Sequence, residues 1–334
     1  MFHRLVTATF LTFAALPAAA LCVGESYLEQ LPASEQAALA AVAADTPYGT
    51  GTLWTATKDD QQVTIVGTMH IYDPRLEPIR ERIKDTVQSA DLIMLEATKE
   101  DQDRLQELLL TDPEILFITD GPTLPDLLDA EAWDTIVEAA SSRGIPGVLA
   151  SKMQPWYLSL VLSVPPCAFQ DMMTGSLGLD HMIMEDAEAA GVEMQALESV
   201  LTLFEIFERA SIEDQIDMLR VNLLPAEVQQ QMFVSMLDSY FSGDIATLWE
   251  MSRVVMANTP GMDTQSAQEA FESFETSLLI DRNRNWMPII KEATEQHDDI
   301  VVAVGAAHLI GEEGILQFLQ NEGWTLSEID QTSP

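Results

Sequence analysis

"VTIVGTMHIYDP", residues 63–74, and "VVAVGAAHLIGE", residues 301–312, are built alike: an apolar run rich in β-branched residues, then a glycine, two small or medium residues, and a histidine. Uncharged runs of this length and composition read as buried strands. In a parallel α/β sheet the carboxyl ends of the strands form the ligand-binding edge, because the returning helices leave a crevice there. The repeated pattern therefore predicts that His70 and His308 face one shared edge.

The sequence around these two stretches supports such a sheet. "TLWTATK" and "QVTIVG", separated by "DDQ", read as a hairpin. Residues 76 to 88 turn helical, and "ADLIMLEAT" from Ala90 is a buried strand, which gives strand, helix and strand within about 35 residues, the economy of a βαβ unit. Parallel pairing follows, with Glu96 beside the strand that carries His70. "LDHMIMEDAEAAGVEMQALES" repeats the theme, with a helix from Leu179 to Ala190, Gly191 as its C-cap, and the strand "VEMQAL". The chain closes with "DIVVAVG", a helix in "EEGILQFLQNEG" and an extended "TLSEI". Residues 101–162 are mostly helical with Pro and Gly breaks, and 199–295 carry almost only helical periodicity. The expected fold is α/β, a mainly parallel central sheet flanked by helices, with a large helical insertion at about 199–295 before the C-terminal βα unit.

At the N-terminus, Arg4, an apolar stretch from Leu5 to Leu16, a proline and then Ala18, Ala19 and Ala20 have the layout of a cleavable secretory signal over residues 1–21. A single domain, 22–334, then functions in the periplasm or outside the cell. Lipid attachment at Cys22 is the competing reading, opposed by the bulk of Leu21. No later run reaches the roughly 18 uncharged residues of a spanning helix, so no transmembrane segment is expected in the mature chain. Cys22 and Cys167 are the only cysteines, and in an oxidising compartment an even pair predicts a Cys22–Cys167 disulfide. Sixteen basic against 54 acidic residues give a net charge of −38. Such a surface repels phosphate backbones, which argues against nucleic acid as a partner and suits solubility or a salty habitat.

Outside the signal only four histidines remain: His70, His181, His297 and His308. With Glu96 at the end of "DLIMLEA", two imidazoles and one carboxylate form a donor set for a divalent metal such as Mn, Co or Zn. Such an ion activates water and polarises a carbonyl, the needs of amide or ester hydrolysis. The alternative is that Gly67 and Gly305 only permit tight turns and that each histidine caps its own loop. His181 and Glu185, four apart on a helix, read as a solvated pair, Arg284 as a surface salt bridge and His297 as a turn residue. Arg282 either pairs with a site carboxylate or holds a substrate carbonyl. There is no Gly-x-Ser-x-Gly elbow, no His-Glu-x-x-His helix and no phosphate-binding Gly-Lys loop.

"GTMHIYDPR" with "ADLIMLEAT", "LDHMIMEDAEAAGVEMQALES", "DRNRNWMPII" and "VVAVGAAHLIGEEGILQFLQNEGW" together resemble the TraB/GumN family, which is grouped with the Tiki proteins. Tiki proteins are described as metal-dependent proteases whose two Gly-x-x-His motifs and a glutamate form the active site. The resemblance implies those roles for Gly67 to His70, Glu96, and Gly305 to His308, and a peptide or protein substrate. Asp180 and Glu198 match family-like positions and are expected to orient the ligands, or else to start their helices. The wider superfamily also takes in erythromycin esterases and haem-binding proteins, so the resemblance leaves a non-catalytic haem- or peptide-binding protein as the alternative. The sequence departs from the Tiki pattern in its acidity and in lacking a C-terminal membrane anchor.

Overall fold

A computed structural model describes residues 22–173, 177–221, 223–257 and 263–330; the expected signal segment 1–21 lies outside them. The elements that place the site are β1 (Leu53–Lys58), β2 (Gln61–Thr68), α1 (Leu76–Ser89), β3 (Leu92–Leu95), α2 (Leu179–Ala190), β4 (Glu193–Ala196), α3 (Ala226–Ser242), α4 (Asp281–Thr294), β5 (Asp299–Gly305), α5 (Ile315–Asn321) and β6 (Thr325–Glu328). The six strands form one sheet in the order β4-β3-β5-β2-β1-β6. β4, β3, β5 and β2 run parallel, whereas β1 is antiparallel to both β2 and β6.

The hairpin, the α1 and α2 helices, and Gly191 in the left-handed region at φ 73° agree with the expectations above. The strand neighbours do not. β2 and β3 do not pair with each other; β5 lies between them, so Glu96 stands beside the strand that leads to His308 and one strand away from that of His70. The βαβ signature fixed the direction of the two strands but could not reveal that a segment 200 residues later fills the gap between them, because a crossover helix spans one missing strand as readily as none.

Alternation along the strands divides the core in two. Val301 and Ala303 of β5 face α1, α2 and α3, packing with Ile83, Leu179 and Leu237. Ile300, Val302 and Val304 face the other way onto Trp286 and Ile290 of α4 and Leu316 of α5. α4 is therefore part of the sheet's own packing and not of a detachable insertion; Trp286 is fully buried. A third cluster, with Leu124, Ile136, Leu158 and Leu219, holds the middle helices together. Cys22 and Cys167 are bridged, tying the first described residue to a helix 145 positions on. Among the described residues no helix is long and apolar enough to cross a membrane.

Candidate active site

Register brings the site together. Thr68, the last residue of β2, is level with Gly305, the last of β5, and Leu95 of β3 is level with Ala303. Residues 68–70, Glu96, Glu198 after β4 and 305–308 thus emerge from one edge of the four parallel strands, as expected of a ligand-binding edge. They open into a cleft of about 190 Å³ lined by Thr68, His70, Glu96, Gln102, Asp180, Glu198, Ser199 and Arg282, among others.

The two motif glycines do not serve as turn residues, since neither has a positive φ. Each instead permits a close approach. A Cβ on Gly67 would sit 2.9 Å from Leu309 Cδ1 and 3.1 Å from Ala306, so the two Gly-x-x-His segments pack against each other. A Cβ on Gly305 would lie 3.3 Å from Glu96 Oε1, 3.6 Å from His308 Cδ2 and 3.7 Å from His70 Nε2. One missing methyl thus marks the point on which all three proposed ligand side chains converge. Gly178 has the same function for α2: its N–H and that of Leu179 donate to the carbonyls of His70 and Met69, and a Cβ there would fall 2.0 Å from the Met69 oxygen. On the opposite side Tyr240 of α3 donates its hydroxyl proton to the Gly67 carbonyl at 2.8 Å.

Docking α2 against the first motif sets Asp180 Oδ1 3.3 Å from His70 Nδ1, while His70 Nε2 stands 4.0 Å from Glu96 Oε1. Burial works against the His70 imidazolium, but the Asp180 contact and the Glu96 and Asp180 charges outweigh it and raise the pKa. The ring is 61% exposed, so solvent screens part of that effect. Asp180 is not a helix cap; its other oxygen lies 3.5 Å from His181 Nδ1. Glu185 turns away to Arg80, so His181 and Glu185 form no chelating pair.

His308 sits in a short 3₁₀ turn and is 4% exposed. Asn283, one residue after Arg282 on α4, donates through Nδ2 to the carbonyls of His308 and Glu313 at 3.1 and 2.8 Å. Its Oδ1 is therefore the acceptor facing His308 Nδ1 at 2.7 Å, which assigns the proton to Nδ1 and leaves the Nε2 lone pair turned into the site. Burial first, and the nearby Arg282 charge with it, lower the His308 pKa to about 3 against the pull of Glu96, so this imidazole is neutral at pH 7. Burial alone would raise the Glu96 pKa, but the positive surroundings and the Gly305 N–H, 2.7 Å from Oε1, hold it at about 2. With His308 neutral, Arg282, His70 and that N–H carry the effect at pH 7.

Arg282 adopts the first of its two expected roles, pairing with site carboxylates. A π-helical turn, Thr276–Ile280, precedes α4 and directs the Leu278 carbonyl at Arg282 Nη1, 3.1 Å away. Nε donates to Glu198 at 3.0 Å, Nη2 to Glu198 Oε1 at 2.6 Å and to Glu96 Oε2 at 2.5 Å, and Nη1 to His308 Nε2 at 3.1 Å. All five N–H groups are engaged. Glu198 does not cap a helix; it holds Arg282 and accepts from Trp286 Nε1 at 3.1 Å. Arg284 makes the expected surface pair, with Glu313 at 3.0 Å.

The donor set fits a divalent metal in its chemistry. Both imidazoles have Nδ1 facing an oxygen partner, Asp180 or Asn283, so an ion could take the Nε2 of His308, the Nε2 of His70 once its proton is displaced, and the Glu96 carboxylate. Among the described residues no three His, Cys, Asp or Glu groups already stand at ligand spacing, and the Arg282 guanidinium lies against two of the three donors. One further polar atom in the cleft, Thr68 Oγ1, is buried without a hydrogen-bond partner. Asn283 and Thr68 escaped the sequence reading, although Thr68 lies inside the first motif and Asn283 inside "DRNRNW". A family model described as TraB/PrgY/gumN family matches residues 52–328, which spans every strand and every site residue above. A search of curated proteins finds no match.

Proposed function

The chain belongs to the TraB/PrgY/gumN family, and from that premise we propose that it is a metal-dependent hydrolase, a peptidase in the first instance, that works outside the cytoplasm. The observation that carries this reading is the convergence of His70 Nε2, Glu96 Oε1 and His308 on the space left by Gly305. These three residues would hold the ion, and Asp180 and Asn283 present the imidazoles with Nε2 forward. A divalent ion there supplies Lewis-acid activation of water and of a carbonyl. Thr68 Oγ1, 3% exposed as a residue and unpartnered, is a donor available for a developing oxyanion. Glu198 keeps Arg282 in place. The Cys22–Cys167 bridge supports an oxidising compartment, in line with the signal-like N-terminus.

The test is metal content and cleavage together. Natively purified protein is analysed for bound elements and then challenged with a peptide library in the presence of Mn, Co or Zn. His70→Ala and His308→Ala should lose metal while remaining folded, and cleavage should disappear with it. Unchanged metal content in both variants refutes the assignment. A haem absorbance band, or tight peptide retention without cleavage, would instead support a binding protein that uses the same cleft.

A further inference from the structure

Arg282 uses its donors in two separate sets. One set binds outward: Nε and one Nη2 proton go to Glu198, one Nη1 proton goes to Leu278 O, and the guanidinium lies 4.7 Å over the Trp286 ring. The other set points into the site, to Glu96 Oε2 and His308 Nε2. A nitrogen lone pair serves one partner at a time, so His308 Nε2 cannot accept from Arg282 and also ligate an ion. Resting on the metal-centre reading above, we propose that Arg282 is a built-in competitor of the metal: it neutralises Glu96 while the site is empty of an ion, gives up Glu96 and His308 when one binds, and is retained by Glu198, so that the Arg282–Glu198 pair sets metal affinity.

The physical logic lies in the cost of the alternatives. Glu96 is only 17% exposed and its Oε2 is paired with the Arg282 guanidinium, so without a cation beside it the carboxylate would be left uncompensated. An arginine that simply filled the site would block it. Glu198, already engaged through two of the guanidinium nitrogens and fixed by Trp286 Nε1, gives Arg282 a second anchor, so withdrawal does not strand a buried charge. The length of Arg282 and the carbonyl of Leu278 in the π-helical turn let both sets form from one backbone position.

The two members of the pair should therefore act with opposite sign. Zn²⁺ affinity is measured by chelator competition on full-length wild type, Arg282→Met/Glu198→Gln, Glu198→Gln and His308→Ala, with circular dichroism to verify the fold. The double variant removes the competitor together with its anchor and should tighten Zn²⁺ binding by on the order of tenfold or more, the low end of a buried charge coupling. Glu198→Gln alone weakens the outward anchor, commits Arg282 to Glu96 and His308, and should loosen Zn²⁺ severalfold. If the double variant fails to fold, the Glu198→Gln result decides. Equal affinity in wild type, Glu198→Gln and Arg282→Met/Glu198→Gln, with binding lost in His308→Ala, would overturn the competition and leave the metal centre standing. Zn²⁺, Mn²⁺ and Co²⁺ binding by none of them, wild type included, would overturn both.

Discussion

Replacing Asn283 by leucine removes three hydrogen bonds in one step: those from Nδ2 to the carbonyls of His308 and Glu313, and the one that Oδ1 accepts from His308 Nδ1. Asn283 is 1% exposed, so water does not replace all of them. A buried group stranded without a partner costs about 1–3 kcal/mol. The Glu313 carbonyl is partly solvated, leaving two groups that bear the full cost, and the apolar side chain returns some of it by burial. The net loss should be about 2–4 kcal/mol, below the 5–15 kcal/mol or so of a typical domain, so the variant folds. With its ring no longer fixed, His308 should bind metal about 10–100-fold more weakly, the usual effect of removing a ligand's hydrogen-bond partner. Urea unfolding followed by tryptophan fluorescence and circular dichroism gives the first quantity, and chelator competition gives the second. Asn283→Asp separates the two roles, since it keeps an acceptor for Nδ1 but has no N–H for the carbonyls: stability should fall while ring orientation is kept. A leucine variant within 0.5 kcal/mol of wild type by this reckoning, with unchanged Zn²⁺ affinity, would refute the reasoning.

Gly305→Ala should abolish metal uptake and cost about 1–3 kcal/mol by overpacking, because its Cβ enters the space between Glu96, His70 and His308; a fully loaded alanine variant would show that the three do not share that space. Loss of the disulfide in Cys22→Ser/Cys167→Ser should lower unfolding free energy by about 5 kcal/mol, the chain-entropy value for a loop of 145 residues, and unreduced wild type should titrate no free thiol. Two titratable thiols before reduction would contradict it. Asp73 accepts from the Arg75 backbone and guanidinium at 2.9–3.0 Å; burial opposes the charge, yet these bonds hold its pKa below the usual range. Its contribution is present above the unfolded value near about 3.9 and is lost as pH falls through the lower folded value. The gap in stability between wild type and Asp73→Asn, about 1 kcal/mol after screening at the half-exposed Arg75, should therefore shrink as pH falls below the unfolded value of about 3.9; a gap that widens there would have the sign wrong.

Local features of this fold were legible in the chain because each is fixed by its own neighbours. The "DDQ" hairpin, the α1 periodicity and the Gly191 cap all rest on residues within one or two turns of one another, and all are found. Repetition of Gly-x-x-His sufficed to place His70 and His308 at one edge, since two strands with parallel direction end on the same side. What depended on distant partners was not legible. The insertion of β5 between β2 and β3 is decided by packing across 200 residues, and no local propensity records it. α4 looked like the end of a helical insertion because amphipathic periodicity does not say which surface a helix covers; in the fold its Trp286 face lies on the sheet and its first turn supplies Arg282 and Asn283. α5 begins at Ile315 rather than at Glu312, because Gly314 closes a turn onto Gly311 before the helix starts. The alternative for the two motif glycines, that they only permit tight turns, gives way to a role of leaving room, a distinction that only the neighbouring side chains can make.

X-ray absorption at the edge of the metal carried by natively loaded protein tests the central claim most directly. Two imidazole shells and a carboxylate oxygen should appear around the ion, and His70→Ala and His308→Ala, purified the same way, should show no absorption edge because they carry no metal. A metal environment without histidine scattering, or one that is unaltered in both variants, would contradict the account.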